Sequence, residues 1–275
     1  MIVVEPNSAE TTAASRAFQA AAAYDHLRLS TYSACETARG RIRIEHAHDA
    51  LMLQFDDVGY FNRLYAPSAA IAGHLDHVEA FYRDSPFGCE LVIENDDQGL
   101  LAEACARRGW QPSHSYAWMH MKTRATDAGD EYEGISIRQP HVQEHTAFLE
   151  FYLRGFEAAP GNFAAAIRNM RHLFYLPQLH FRIASREGVD AAIGVLCVLG
   201  ETAMLAAGAT LPEQRRHGCH HAVLADRIRL AHGLGCTEVV SYAYEGGQSH
   251  LNMESMGVET VNVTQGWRFN GAAAS

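Results

Sequence analysis

The stretch "TLPEQRRHGCHHAVLADRIRLAHGLGC" (Thr210–Cys236) joins an apolar run closed by Pro212 to a helix, through a loop that holds two arginines, a glycine and three histidines. Val223, Leu224, Ile228, Ala231 and Leu234 recur at helical spacing, so the helix starts near Gly218 and buries one stripe. Three readings of the loop compete. The first is a phosphate cradle: a helix N-terminus aims free N–H groups and the positive end of its dipole at one point, Gly218 admits close approach, and Arg215 and Arg216 add charge-assisted bonds. The second is a metal site, since His217, Cys219, His220 and His221, with "EHAHD" (Glu45–Asp49) far upstream, are ligand types. Zinc needs about four ligands converging tetrahedrally, however, and neighbours in one helical turn point different ways. The third is a solvated turn without a ligand.

The pattern around the loop narrows the fold. Upstream, "ISIRQP" reads as a strand, "HVQEHTAFLEFYLRGFE" and "NFAAAIRNMRHLF" as helices, and "LHFRIASRE", "DAAIGVLCVLG" and "TAMLAAGATL" as three strands. Downstream come a strand "EVVSYAY", a helix "SHLNMESMG" and a strand "VETVNVTQGWRF". The first half opens on an Ala-rich helical stretch, Ala13–Arg41. Then "ALMLQFDDVGYFNRLYA" reads as a strand, and "SAAIAGHLDHVEAFYRD" as a helix with Ile71, Leu75, Val78 and Phe81 inward. "CELVIEN" is a buried strand, "DQGLLAEACARRGW" a helix stopped by Gly109, and "SYAWMHMK" a closing strand. The polar stretch "KTRATDAGDEYEG" (Lys122–Gly134) separates the two patterned halves and is the linker candidate.

The sequence therefore predicts an α+β fold (α/β layered) in two domains, residues 1–122 and 135–275, joined by 123–134. The halves echo one another: "LLAEACARRGWQPSHSYAWM" and "SHLNMESMGVETVNVTQGW" both run helix, Gly, bulky apolar residue, strand. Trp118, Trp267, Met253 and Met256 are expected in the core.

Composition excludes some partners. With 22 Lys+Arg against 32 Asp+Glu the formal charge is -10, a surface that repels nucleic-acid backbones and anionic lipid. No stretch approaches 18 uninterrupted apolar residues, so no membrane span is expected, and the N-terminus lacks the pattern of an export signal. Six cysteines without a C-x-x-C pair read as reduced thiols of a cytoplasmic protein.

"GATLPEQRRHGCHHAVL" resembles the acetyl-CoA-binding motif of the GCN5-related N-acetyltransferases, a strand followed by Q/R-x-x-G-x-G/A and a helix. Arg215 and Gly218 fill the first two fixed positions and His220 stands in place of the last Gly/Ala. The order of elements over Ile135–Phe269 matches as well. The resemblance implies acetyl-CoA as co-substrate, with its pyrophosphate on Arg215, Arg216, His217, Gly218, Cys219, His220 and His221. It implies further that the pantetheine pairs with Leu205, Ala206, Ala207 and Gly208 of a strand that splays from its neighbour. Asn252 is a further candidate contact to the cofactor. No metal is implied. The first half, with only "PSA" at the corresponding loop, reads as a degenerate copy, so the resemblance implies two domains of this fold, each a mixed, mostly antiparallel sheet flanked by helices.

The resemblance also implies the activity: N-acetyl transfer to a primary amine, carried by a small molecule or a peptide, by direct attack on the thioester. The family's last helix often carries N-x-x-A-x-x-x-Y, whose Tyr is the general acid. Here those positions are Gly246, Ser249 and Met253, and the Tyr is missing. Tyr244 and Ser249 are the nearest hydroxyl candidates and Glu245 the candidate base. The missing Tyr and the His at 220 equally suit a competing class, a silent CoA-binding or metal-responsive binding protein.

Overall fold

The computed structural model describes residues 11–35, 38–96, 99–123 and 132–271. Most of the linker candidate, 124–131, and the N-terminal 1–10 lie outside them.

The first half runs α1 (Ala13–Ala34), β1 (Ile42–Ala47), β2 (Ala50–Phe55), β3 (Arg63–Ala66), α2 (Leu75–Tyr82), β4 (Cys89–Ile93), α3 (Leu100–Arg107) and β5 (Gln111–Lys122). The second half runs β6 (Ile135–Arg138), α4 (His145–Gly155), α5 (Phe163–Met170), β7 (Leu179–Arg186), β8 (Val189–Leu199) and β9 (Thr202–Thr210). It ends with α6 (Cys219–Gly233), β10 (Glu238–Tyr244), α7 (Gln248–Ser255) and β11 (Glu259–Phe269).

Three details differ from the sequence reading. The stretch expected as strand over 50–66 is interrupted between β2 and β3, because Asn62 Oδ1 accepts from Phe55 N at 2.6 Å and folds the segment between them into a short 3-10 turn. The Ala-rich stretch stops before a strand, β1, whose alternating "RIRIEHA" went unread. The helix expected from residue 68 begins as a 3-10 turn, Ala69–His74, and turns α-helical only at Leu75.

Among the described residues eleven strands form one sheet, in the order β1-β2-β3-β4-β11-β5-β10-β9-β8-β7-β6. Only β3/β4 and β9/β10 pair in parallel; the rest are antiparallel. The run β3-α2-β4-α3-β5 thus repeats as β9-α6-β10-α7-β11, and the two copies exchange their last strands. β11 lies between β4 and β5 of the first half, while β5 lies between β11 and β10.

Each face of the sheet carries its own core. Helices α1 and α4 cover one side with Phe18, Tyr65, Trp118, Phe148 and Val240. Helices α2 and α3 pack on Met52, Leu64, Leu91 and Trp267, and α6 and α7 on Leu205, Val239 and Met253. Trp118 and Met253 are thus core residues, and Met256 packs against the same cluster as Met253. Of the stripe expected on α6, Leu234 alone is exposed. Gly235 takes φ 85°, and Cys236 N returns to Ala231 O at 3.0 Å, so the helix closes one residue before Leu234 and turns it to solvent.

The two parallel pairs differ in a way that positions the site. β3 and β4 stay paired from Arg63↔Glu90 to Ala66↔Ile93. β9 and β10 pair only at Glu238↔Thr202, Val239↔Ala203 and Val240↔Met204, after which β9 runs on to Thr210 without β10. One copy is zipped and the other opens.

Candidate active site

Beyond Met204, β9 keeps its partner on one side only. Its pairing with β8 slips between Val195↔Ala207 and Leu196↔Leu205, so Ala206 is an extra residue in a β-bulge. Opposite the bulge, Ser241 Oγ of β10 donates to Leu205 O at 2.9 Å across the opening. A cavity of about 30 Å³ lies there, touched by Leu205, Ala206, Ser241 and Tyr242.

The opening leads to a larger cavity of about 600 Å³ at the start of α6, lined by Gly208, Arg215, Gly218, His220, Ser249 and Asn252 among others. Gly218 is the N-cap at φ 79° and Arg216 also has positive φ, 67°, so the loop turns sharply before the helix. Ala222 N is bonded to Gly218 O at 2.9 Å, which closes the first helical turn. No side chain caps the N-terminus and no acidic residue stands in its first turn. The free N–H groups of that turn and the positive end of the dipole therefore meet the cavity uncompensated. Gly155, the last residue of α4, forms part of the wall; a Cβ there would come within 2.7 Å of Ala209 Cβ, so only glycine lets α4 approach β9 this closely.

The loop residues do not share one task. Arg215 is half-exposed and pairs with Glu157 beside the cavity. His221 Nε2 meets Ser255 Oγ at 3.0 Å and ties α6 to α7. Cys219 is buried with its thiol pushed up by that burial, which makes it a poor nucleophile. His220 Nδ1 meets Asn252 Nδ2 at 3.1 Å, and Asn252 Oδ1 accepts from Gln248 Nε2 at 2.8 Å. Burial, and then the charge of Arg227, push the His220 imidazole down to about 4, so it is neutral at pH 7.

Among the proton-handling candidates, Ser249 touches both cavities. Tyr244 and Glu245 line neither. Past Val240, β10 pairs with β5, and Tyr244 stacks on His114 of that strand with ring centroids 3.9 Å apart. Glu245 N bonds Ser115 O at 2.9 Å. The structure therefore does not bring these two together with Ser249. Among the described residues no group of three or more His, Cys, Asp or Glu converges to hold a metal, so the histidines of the loop and of "EHAHD" remain separate. His48 instead stacks on His74 at 3.7 Å, and His77 pairs with Glu45 at 2.8 Å.

One residue of the site was missed. Arg227 of α6 is 2% exposed and lies flat under the bulge, where Nη1 donates to Ala207 O at 2.8 Å and Val195 O at 3.1 Å. A signal existed: Arg227 falls on the apolar stripe, three residues after Leu224 and four before Ala231.

No protein-family model and no curated protein matches the sequence. Solved structures do match. A GCN5-related N-acetyltransferase from Kribbella flavida aligns over 92% of this chain and 97% of its own at a TM-score of 0.65 and 14% identity. A tandem GNAT protein from the clavulanic acid biosynthesis pathway aligns over 94% and 97% at 0.54 and 12%. The chain has the GCN5-related N-acetyltransferase fold in its tandem form. A third such protein, from Sphaerobacter thermophilus, aligns over 80% of this chain and 78% of its own at 0.56 and 13% identity. Within the acetyltransferase fold, the opened β9/β10 pair and the α6 N-terminus belong to the second copy. Among the described residues no helix is long and apolar enough to cross a membrane.

Proposed function

We propose that the protein is an acyl-CoA-dependent N-acyltransferase that moves acetyl from acetyl-CoA to a primary amine by direct attack, with its site in residues 135–275. The observation that carries this reading is the early end of the β9/β10 pair at Met204/Val240, which opens into the cavity at the bare N-terminus of α6. An acyl-CoA needs both parts. Its pyrophosphate suits the free N–H groups and dipole of the helix start, and its pantetheine amides suit the edge of β9 over Leu205–Gly208, which the β10 backbone leaves.

The acceptor amine would reach the thioester from the far side of the opening. Tyr242 borders the small cavity and is held there by the first half, through Arg63 Nη1 at 2.7 Å and Tyr60 Oη at 3.0 Å. Residues 1–122, whose own parallel pair stays zipped, thus support the acceptor side without binding a cofactor. Of the three proton-handling candidates, Ser249 is the one that fits this path.

Thermal unfolding with and without acetyl-CoA, beside Gly218→Glu, tests the reading. A ligand at 100 times its dissociation constant adds about 2.7 kcal/mol to the folded state, a shift of a few degrees that the variant should lose. No shift in the wild type at millimolar acetyl-CoA would sink the proposal.

A further inference from the structure

Two glycines face each other across β8 and β9: Gly194 pairs with Gly208. The guanidinium of Arg227 lies against them, so that a Cβ on Gly194 would meet its Nε at 2.6 Å and a Cβ on Gly208 would meet its Nη2 at 3.1 Å. His220 Nε2 stands over the same spot, 3.3 Å from the Cβ that Gly208 lacks. The empty Cβ position of Gly208 is thus flanked by two nitrogens from one helix.

Both nitrogens carry unspent protons. The Nε and Nη1 of Arg227 are used on the carbonyls of Val223, Val195 and Ala207, while Nη2 has no hydrogen-bond partner among the described residues. Nor does Arg227 pair with a carboxylate among the described residues: its sequence neighbour Asp226 is bonded to Arg182 at 2.9 Å. For His220, the Asn252 amide faces Nδ1, so the proton of the neutral ring sits on Nε2, which likewise has no partner. A buried cation without a counter-charge is costly to fold, and here it adjoins the cavity wall at Gly208.

We infer that Arg227 Nη2 and His220 Nε2 form a two-donor notch over Gly208 that receives the thioester oxygen as it becomes negative. This inference rests on the acetyl-CoA reading above. The amine nitrogen forms its bond to the carbonyl carbon, and the C=O π pair moves to oxygen, where the two N–H donors meet it. Collapse restores the carbonyl and breaks the C–S bond, so sulfur leaves with the electron pair. The proton lost by nitrogen passes through the Ser249 hydroxyl to the sulfur, giving amide and free CoA. His220 works in its neutral form, as a hydrogen-bond donor, and Arg227 supplies fixed charge in a site shielded from water. Asn252 is a positioning residue that holds the tautomer.

The test uses the full chain and two stable thioethers, S-carboxymethyl-CoA and its uncharged isostere S-isobutyl-CoA. The wild type should bind the anionic one at least about tenfold more tightly, and in both His220→Ala and Gly208→Ala the ratio of the two affinities, measured within each variant, should fall to about one. In turnover, His220→Ala should lower kcat by roughly 100-fold with little change in KM for acetyl-CoA. Equal affinity of the wild type for the two thioethers, or a preference that survives both substitutions, would overturn the notch. A wild type that binds neither thioether would instead remove the acetyl-CoA reading beneath it.

Discussion

The amide of Asn252 on α7 holds Nδ1 of His220 on α6 at 3.1 Å, so one hydrogen bond between two helices decides which ring nitrogen faces Gly208. Asn252→Asp reverses the arrangement. A carboxylate accepts from Nδ1, raises the imidazole from about 4, and leaves Nε2 bare once the ring loses its extra proton. The other charged or titratable groups that act on His220 are Arg227 and His221, both of α6 and both cation-forming. Turnover of the variant should therefore fall as pH rises through the new pKa, while His220 adds no titration to the wild-type profile between about pH 6 and 8. Parallel kcat profiles for the two proteins would contradict this assignment.

The same lowered pKa is a statement about stability. The folded-state value lies below the ordinary histidine value of 6.5, so between pH 6.5 and about 4 the unfolded chain binds the proton and the folded chain does not. Its contribution is fully present above 6.5 and is lost as pH falls toward 4, with a slope of up to about 1.4 kcal/mol per pH unit. Burial lowers other histidines as well, His26 and His180 among them, so the quantity to read is a difference. Urea unfolding of wild type and His220→Gln at pH 7, 5.5 and 4.5 should show the wild type losing more stability on acidification.

The helix-start loop was legible in the sequence because it is local, whereas the opened strand pair, a relation between Met204 and Val240, followed only from the family resemblance that the loop carries. Pro212, Arg215 and Gly218 sit at fixed spacing, and "TAMLAAGATL" is continuous with them. What could not be read is relational. Gly194 and Gly208 lie 14 residues apart, and only the register of β8 on β9 makes them a pair that beds Arg227. Tyr244 and Glu245 looked close to the chemistry because they end the strand after the motif helix. The unread fact was that β5, from the first half, takes that end of β10 as its partner.

Gly194→Ala tests the bed directly. The new methyl would fall 2.6 Å from Arg227 Nε and 2.9 Å from its Cδ and Cζ. The guanidinium must shift, breaking its bonds to Val195 O and Ala207 O. The expected cost is about 1–3 kcal/mol by chemical denaturation, together with a loss of transfer activity. Wild-type stability in this variant would mean that Arg227 is loosely held.

Ser249 is the one expected proton-handling residue that borders both cavities. Ser249→Ala should lower kcat by about tenfold or more, with KM for acetyl-CoA nearly unchanged. Tyr244→Phe, whose ring still stacks on His114, should leave kcat within about threefold. The reverse ranking in steady-state kinetics would move the proton path to the end of β10.

The exchanged strands tie the two halves into one unfolding unit. Among the described residues β11 of the second half has only β4 and β5 of the first half as strand neighbours, and β10 pairs with β5 along its whole length, Glu238 to Tyr244. The seam is locked where Glu238 of β10 accepts from Arg16 of α1 at 2.7 Å and from Thr202 of β9 at 2.7 Å, and meets His120 of β5 at 2.8 Å. Burial pushes the Glu238 carboxyl up, but the bonds from Thr202 and Arg16 outweigh it and hold the group below the usual range. Cutting the chain at the linker would leave β10 with a bare edge and β11 with no partner, a surface that invites aggregation. Residues 132–275 expressed alone should be insoluble or unfolded by circular dichroism, and the full chain should melt in a single calorimetric transition whose van't Hoff and calorimetric enthalpies agree. Two resolved transitions, or a soluble folded second half, would show that each copy can close its sheet with its own last strand.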